Sequence, residues 1–220
     1  MIPLGDASRR PSRTPIVTLL IIVINVLVFV WELGADNATV MQWTVVPAQL
    51  SQGARWITAL TSMFMHGGFM HIIGNMVFLW AFGPEVEDTM GRGRFVVFYL
   101  LGGLVATIAQ VALNPASTVP QLGASGAIAA VMGAFLVTYP RDKIKVVWFL
   151  WIFFTVTYIP AFVLVGIWLL TQLLNQAGSV VQADTGGGVA YMAHIGGALF
   201  GIVTARLFEG PIRRDAEAAW

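Results

Sequence analysis

Ser125 lies in the tetrad Gly123-Ala124-Ser125-Gly126, where a polar loop gives way to an apolar run. A serine hydroxyl becomes a good nucleophile only when a base takes its proton, and histidine is the usual base. The chain has three histidines: His66, His71 and His194. His71 and His194 each lie a few residues inside the start of an apolar run. His71 and Asn75 are spaced i, i+4 and so share one helix face. A ring N–H and a side-chain amide on that face, with the Ser125 backbone N–H that an early helix position leaves free, are donors suited to the oxyanion formed when a peptide carbonyl is attacked. The pattern reads as acyl transfer. Ser125 is the candidate nucleophile and His194 the candidate base, and His71, Asn75 and the Ser125 N–H form a candidate oxyanion hole. No Asp or Glu falls inside the runs that carry Ser125 and His194. Glu32, Asp36 and Asp184 lie outside the runs or at their edges, so a dyad is expected rather than a triad.

The elements that must position these groups are apolar throughout. With 57% hydrophobic and 10% charged residues, the 220-residue chain is far too apolar for an ordinary soluble domain. Six segments stand out, at 15–33, 69–82, 95–113, 124–139, 146–174 and 189–208. The first follows Arg9, Arg10 and Arg13, but it is too long for a cleaved signal segment of about 7–15 apolar residues and reads as a first membrane span. Pro160 divides the fifth, so residues 146–158 read as a buried or interfacial lead-in to a helix over 160–174. Trp31, Tyr139, Trp148, Trp168 and Tyr191 fall where an aromatic belt at segment ends would place them. The expected organisation is a tail at 1–14, one membrane domain at 15–209 and a second tail at 210–220.

Charge sets the orientation. With the N-terminus inside and six alternating spans, Arg9, Arg10, Arg13, Arg92, Arg94, Arg141, Lys143, Lys145, Arg206, Arg213 and Arg214 fall on the cytoplasmic side, and Arg55 alone falls outside. Both termini are then cytoplasmic. Segments two, four and six run inward, which puts His71, Ser125 and His194 toward the outer leaflet. Segments two and four, at about 16 residues or ~24 Å, fall short of a hydrocarbon core of ~30 Å. Their starts would then sit below the membrane surface, opening a wet depression with Ser125 on its floor. Gly126 with Ala130, and Gly197 with Gly201, are small-xxx-small pairs that let two spans approach closely.

Blander readings exist for each residue. A serine beside glycines caps a helix, and a histidine at the interface anchors a span. His71 and Asn75 can bond across helices for structure alone, and His66 reads as a residue that fixes the loop before segment two. Other functions are narrowed by inventory. The absence of cysteine removes disulfides and thiolate sites, and no His-Glu-x-x-His motif offers a zinc site. No cofactor or metal is expected. The net charge of +1 and the absence of a basic stripe give no sign of nucleic-acid binding. A transporter would more naturally pair ionisable groups within spans or repeat internally, and neither is seen.

The stretch His66-Gly67-Gly68-Phe69-Met70-His71-Ile72-Ile73-Gly74-Asn75 resembles the His-x4-His-x3-Asn pattern of rhomboid intramembrane serine proteases. Gly123-Ala124-Ser125-Gly126 is similar to the rhomboid Gly-x-Ser-Gly motif. Ala193-His194-Ile195-Gly196-Gly197, with Gly201, is similar to the signature of the family's last core helix. Glu87-Asp88-Thr89-Met90-Gly91 resembles its Glu-x3-Gly element. The resemblance covers roughly residues 55–205. It implies an all-α, six-span rhomboid bundle in which Ser125 and His194 form the catalytic dyad, with His71, Asn75 and the Ser125 amide in the oxyanion hole. His66, Glu87, Gly123, Gly126, Gly197 and Gly201 become supports. It also implies cleavage near the outer end of other proteins' membrane spans, often after a small residue. A catalytically inactive client-binding relative is the alternative. The chain departs from many bacterial relatives in having Ala129 where they carry an aromatic residue four positions after the nucleophile. Arg55 lies too far before His66 to match clearly the loop arginine of some members.

Further expectations concern the substrate and the setting. A membrane helix pairs all its backbone groups internally, so the substrate must unwind locally, and helix instability then governs selectivity. The loop at 114–122 and the fifth segment are the expected substrate contacts. The bacterial inner membrane is the expected location, and the sequence leaves the oligomeric state open.

Overall fold

The structure, a computed structural model, describes residues 1–150, 153–181 and 190–210. Asp184, Arg213, Arg214 and the expected tail beyond Gly210 lie outside the described residues, as does the start of the sixth segment at 189.

The bundle is helical. Helix α1 spans Ile16–Gly34, and the loop after it holds three short helices, α2 Asn37–Met41, α3 Pro47–Ser51 and α4 Thr58–Thr61, with a single 3-10 turn at Ser62–Phe64. Four long helices and one shorter one complete it: α5 Phe69–Met90, α6 Arg92–Leu113, α7 Ser125–Thr138, α8 Ala161–Val181 and α9 Tyr191–Phe208. Helices α1, α5, α6, α8 and α9 are each long and apolar enough to cross a membrane. The protein is therefore a multi-pass membrane protein.

Helix α7 is the exception and the centre. Its 14 residues span ~21 Å, too short to cross lipid unaided. Every residue from Gly126 to Phe135 is buried, so the helix is enclosed by its neighbours and lipid does not dictate its length. The approach is closest against α9. A Cβ built on Gly197 would strike the Gly126 carbonyl oxygen, one on Gly201 the Ala130 carbonyl oxygen, and one on Gly133 the Ala198 carbonyl oxygen. Both small-residue pairs thus lie in one seam, where backbone meets backbone. Helix α6 closes a second side, with Gly102 against the Ala130 methyl group. Aromatic rings fill the far end, where Phe82 and Phe135 meet edge to face at 5.1 Å.

Segment two is longer than expected. The sequence places its end at residue 82, yet α5 runs on to Met90 with Pro84 inside it. Proline removes one ladder hydrogen bond, and the buried surroundings of Gly83–Glu87 hold the helix together. At 22 residues, about 33 Å, α5 can cross the bilayer. The argument from shortness therefore holds for α7 alone.

The expected lead-in to the fifth segment is a hairpin. Strands β2 Lys143–Leu150 and β3 Phe153–Pro160 pair antiparallel, and β1 Ile2–Asp6 adds to β2, giving the order β1-β2-β3. Ile144 and Val146 are fully buried while Lys143 and Lys145 take the other face, the two-residue alternation of a strand. Residues 1–14 therefore contain an ordered strand. They are fastened further by Arg9, which ion-pairs with Asp142 and lies 3.8 Å over the Tyr139 ring, and by Ser12, whose N–H and hydroxyl donate to Asp88. Several expected belt residues also serve inside the fold: Tyr139 lies under Arg9, and Trp148 Nε1 donates to Thr157 Oγ1 at 2.7 Å within the sheet.

Glu87 ties the first span to the second. Its carboxylate accepts from the Val17 N–H at 3.0 Å, the Thr18 N–H at 2.7 Å and the Thr18 hydroxyl at 2.8 Å. Those amides belong to the first turn of α1, which lacks intrahelical acceptors and carries the positive end of the helix dipole.

Candidate active site

The loop that carries Ser125 is fixed before α7 begins. The Gly123 N–H donates to the Ser62 carbonyl at 2.8 Å, and Gly123 adopts φ +131°, a conformation open to glycine. A Cβ there would lie 2.8 Å from His71 Nε2 and 3.6 Å from Ser125 Oγ. Glycine thus lets the His71 ring and the serine hydroxyl face the same small space. Ser125 is the first residue of α7, so its N–H has no partner inside the helix.

His194 reaches the serine from α9. The start of α9 is held by the Ala193 N–H, which donates to Gln110 Oε1 of α6 at 3.1 Å. His194 Nε2 lies 2.7 Å from Ser125 Oγ, and its ring is 8% exposed. The two side chains come from separate helices and meet because glycines in the α7–α9 seam let the two backbones approach closely.

His71 has a defined tautomer. Its Nδ1 accepts the Gly67 N–H at 3.3 Å, so the ring proton resides on Nε2, the atom beside Gly123. Asn75, one turn further along α5, is buried, and its Nδ2 donates to no group among the described residues. His71 Nε2 therefore faces the space beside the serine, and one turn along the same helix Asn75 carries an amide N–H with no acceptor among the described residues. Such a set can stabilise an oxyanion. A cavity of about 40 Å³ opens beside Ser125, lined among others by Ser62, Gln121, Gly123, Ala127 and Ala190. That is room for a small side chain or a single water.

His66 stands one layer back. Its N–H donates to Glu32 of α1 at 3.0 and 3.2 Å, and its ring packs edge-on against His71 at 5.2 Å. Burial, assisted by the neighbouring His71, lowers the His66 pKa from 6.5 to about 4. Between those values the unfolded chain binds more protons than the folded one, so stability falls as pH is lowered through that window. Thermal unfolding is expected to show a transition temperature that drops between pH 6.5 and pH 4. In His66→Gln the drop should be shallower; an unchanged slope would mean another group carries it.

Two departures noted in the sequence resolve in space. Arg55 pins the loop that precedes the site, donating to the Gln42 carbonyl and, at 3.2 Å, to Gln49 Oε1. Position 129 is alanine, and the ring beside His194 comes from a different helix. Trp168 of α8 lies 5.7 Å from the imidazole at an interplanar angle of 37°. Gln172, one turn on, places Oε1 2.8 Å from His194 Nδ1. Sequence reasoning missed both. The one available signal was their i, i+4 spacing on a helix already expected to flank the site. The residues 114–122 are tethered too, through paired backbone hydrogen bonds between Gln121 and Val45 at 2.7 and 2.9 Å. Among the described residues, no group of three or more His, Asp or Glu is arranged to hold a metal.

The Rhomboid domain family matches residues 53–210. The chain belongs to the rhomboid family. It is 29% identical over 199 residues to presenilin-associated rhomboid-like protein A, mitochondrial, of Danio rerio, covering 84% of this chain and 46% of that protein. It is 34% identical over 135 residues to rhomboid protease GluP of Bacillus subtilis (strain 168), covering 60% of this chain and 26% of that protein. Against the putative rhomboid protease YdcA of the same organism it is 29% identical over 123 residues, 56% of this chain and 61% of that protein. The chain spans under half the length of the presenilin-associated relatives it matches. The named relatives are mitochondrial in one case and bacterial in the others, so they agree on the family and differ in their membrane.

Proposed function

We infer that the protein is an intramembrane serine endopeptidase that cuts membrane spans of other proteins near their outer ends. The observation that carries this reading is the 2.7 Å contact between Ser125 Oγ and His194 Nε2 inside an apolar bundle. In this reading His194 Nε2 takes the hydroxyl proton as Oγ attacks the peptide carbonyl. The carbonyl oxygen becomes an anion that accepts from the Ser125 N–H, His71 Nε2–H and the Asn75 amide. The protonated imidazole then gives its proton to the leaving amine. Water, activated by the same histidine, releases the acyl group in a second round.

The setting supports the substrate class. The site lies among lipid-crossing helices, so a bilayer-embedded segment reaches it laterally. The segment must open locally to offer a carbonyl, and the cavity beside Ser125 suits a small side chain at the cut. The loop at 114–122 and α8 flank the route in. Among the described residues, basic groups gather at the end away from Ser125, around Arg9, Arg94, Lys143 and Arg206, while Arg55 lies at the Ser125 end. This supports six spans with both termini cytoplasmic and the site toward the outer leaflet.

The test is fluorophosphonate labelling of the purified protein, together with cleavage of a single-span substrate in liposomes. One adduct on Ser125 and a cut span are expected. A folded protein that does neither would be an inactive client binder. The oxyanion hole has its own readout. Asn75→Ala is expected to lower kcat by about 10²–10³-fold with little change in KM, as measured on the same liposome substrate. A change confined to KM would place Asn75 in substrate docking instead.

A further inference from the structure

Gln172 and Trp168 sit four residues apart on one face of α8, and both meet the His194 ring. Among the described residues, Ser125 and Gln172 are the two side chains hydrogen-bonded to that ring. Gln172 is 8% exposed. Its orientation follows from its other partners. Gln172 Nε2 faces the Trp168 carbonyl at 3.3 Å and Thr171 Oγ1 at 3.1 Å. The Thr171 hydroxyl donates to that same carbonyl at 2.6 Å, so its oxygen is free to accept from the amide. Turning the amide over would set Oε1 against the carbonyl oxygen, acceptor against acceptor, and its NH2 against His194. The network therefore aims the acceptor end at His194 Nδ1. An acceptor there requires the imidazole proton on Nδ1, which leaves the Nε2 lone pair toward Ser125 Oγ. That is the tautomer a general base needs.

We propose that Gln172 is the positioning residue of the His194 base, a neutral amide that selects its tautomer where a carboxylate would serve in a triad, with the Trp168 ring restricting the imidazole's tilt. The arrangement suits a low-dielectric site. A carboxylate buried here would cost several kcal/mol unless fully paired, whereas an amide holds the ring without a net charge. The unit is completed from α8, so the base is oriented by a helix other than the two that carry the dyad.

This inference rests on the catalytic reading of Ser125 and His194, and its test separates the two. Gln172→Leu, Gln172→Glu and the parent protein are compared in two ways. The first is kcat and KM for a single-span substrate in liposomes. The second is the ¹⁵N imidazole spectrum of His194, assigned against His66 and His71 variants, which reports the tautomer without turnover. In the parent, one tautomer with Nδ1 protonated is expected. In Gln172→Leu, kcat is expected to fall about 10–100-fold with KM within about twofold, and the spectrum to show mixed tautomers. Gln172→Glu in its protonated form can donate to the Trp168 carbonyl and keep an acceptor toward Nδ1, so it should recover the single tautomer and most of kcat. A Gln172→Leu protein with the parent's tautomer, or with a loss in KM alone, overturns the proposal. A parent that is folded and shows the expected tautomer but cuts no substrate sinks the protease reading and leaves the role of Gln172 in orienting the ring standing.

Discussion

Replacing Ser125 with alanine is expected to reduce cleavage by about 10⁴-fold or more, and replacing His194 with alanine by a similar factor. The double variant should lose no more than either single one. The reason is geometric: Oγ and Nε2 share one proton across 2.7 Å. Without the hydroxyl nothing attacks, and without the imidazole nothing takes the proton, so the pair acts as a unit. Additive losses would mean that the residues act independently and would contradict the dyad. Residual cleavage by Ser125→Ala within tenfold of the parent would move the nucleophile elsewhere. Single-turnover cleavage in liposomes measures this, with thermal unfolding run in parallel to separate lost chemistry from lost fold.

The second large effect concerns packing. A Cβ on Gly201 would lie 2.8 Å from the Ala130 carbonyl carbon and 2.9 Å from the Ala134 nitrogen, and it would overlap the Ala130 oxygen. All three are backbone atoms of α7, so a changed rotamer cannot relieve the contact. Gly201→Ala is expected to cost about 3 kcal/mol or more, read as a lowered transition temperature in detergent and faster proteolysis. Gly102→Ala is expected to cost a comparable amount for a different reason, since its Cβ would meet the Ala130 methyl group. The two substitutions part company when Ala130→Gly is added. Trimming that methyl should restore Gly102→Ala toward the parent and leave Gly201→Ala unrescued. Rescue of both, or of neither, would show that the helices separate as rigid bodies instead of resisting atom by atom.

Much of this is legible in the sequence because polar groups in lipid are rare. Ser125, His71, Asn75 and His194 are conspicuous against apolar runs, and charge along the loops orders those runs. Gln172 had no such contrast. It shares α8 with Thr171 and Gln176, and spacing does not say which of them faces a histidine 22 residues later. The hairpin failed for a different reason. Residues 146–158 are apolar but for Thr155 and Thr157 and rich in β-branched and aromatic side chains, and a run of that length fits either a buried strand or a helix. Its partner β1 lies more than 130 positions away in the chain, and pairing at that distance leaves no local trace. The end of α5 lies eight residues past the expected boundary, because buried packing holds Gly83 and Pro84 in a helix that local propensity disfavours.

The jacket of protein around α7 has one more consequence. Because that helix is buried without a break from Gly126 to Phe135, the height of the serine is referenced to the scaffold and not to the bilayer. Thicker or thinner membranes would raise or lower a client span past a stationary blade. For the proposed reaction, changing acyl-chain length should shift which bond of a given client is severed, leaving the cutting geometry itself untouched.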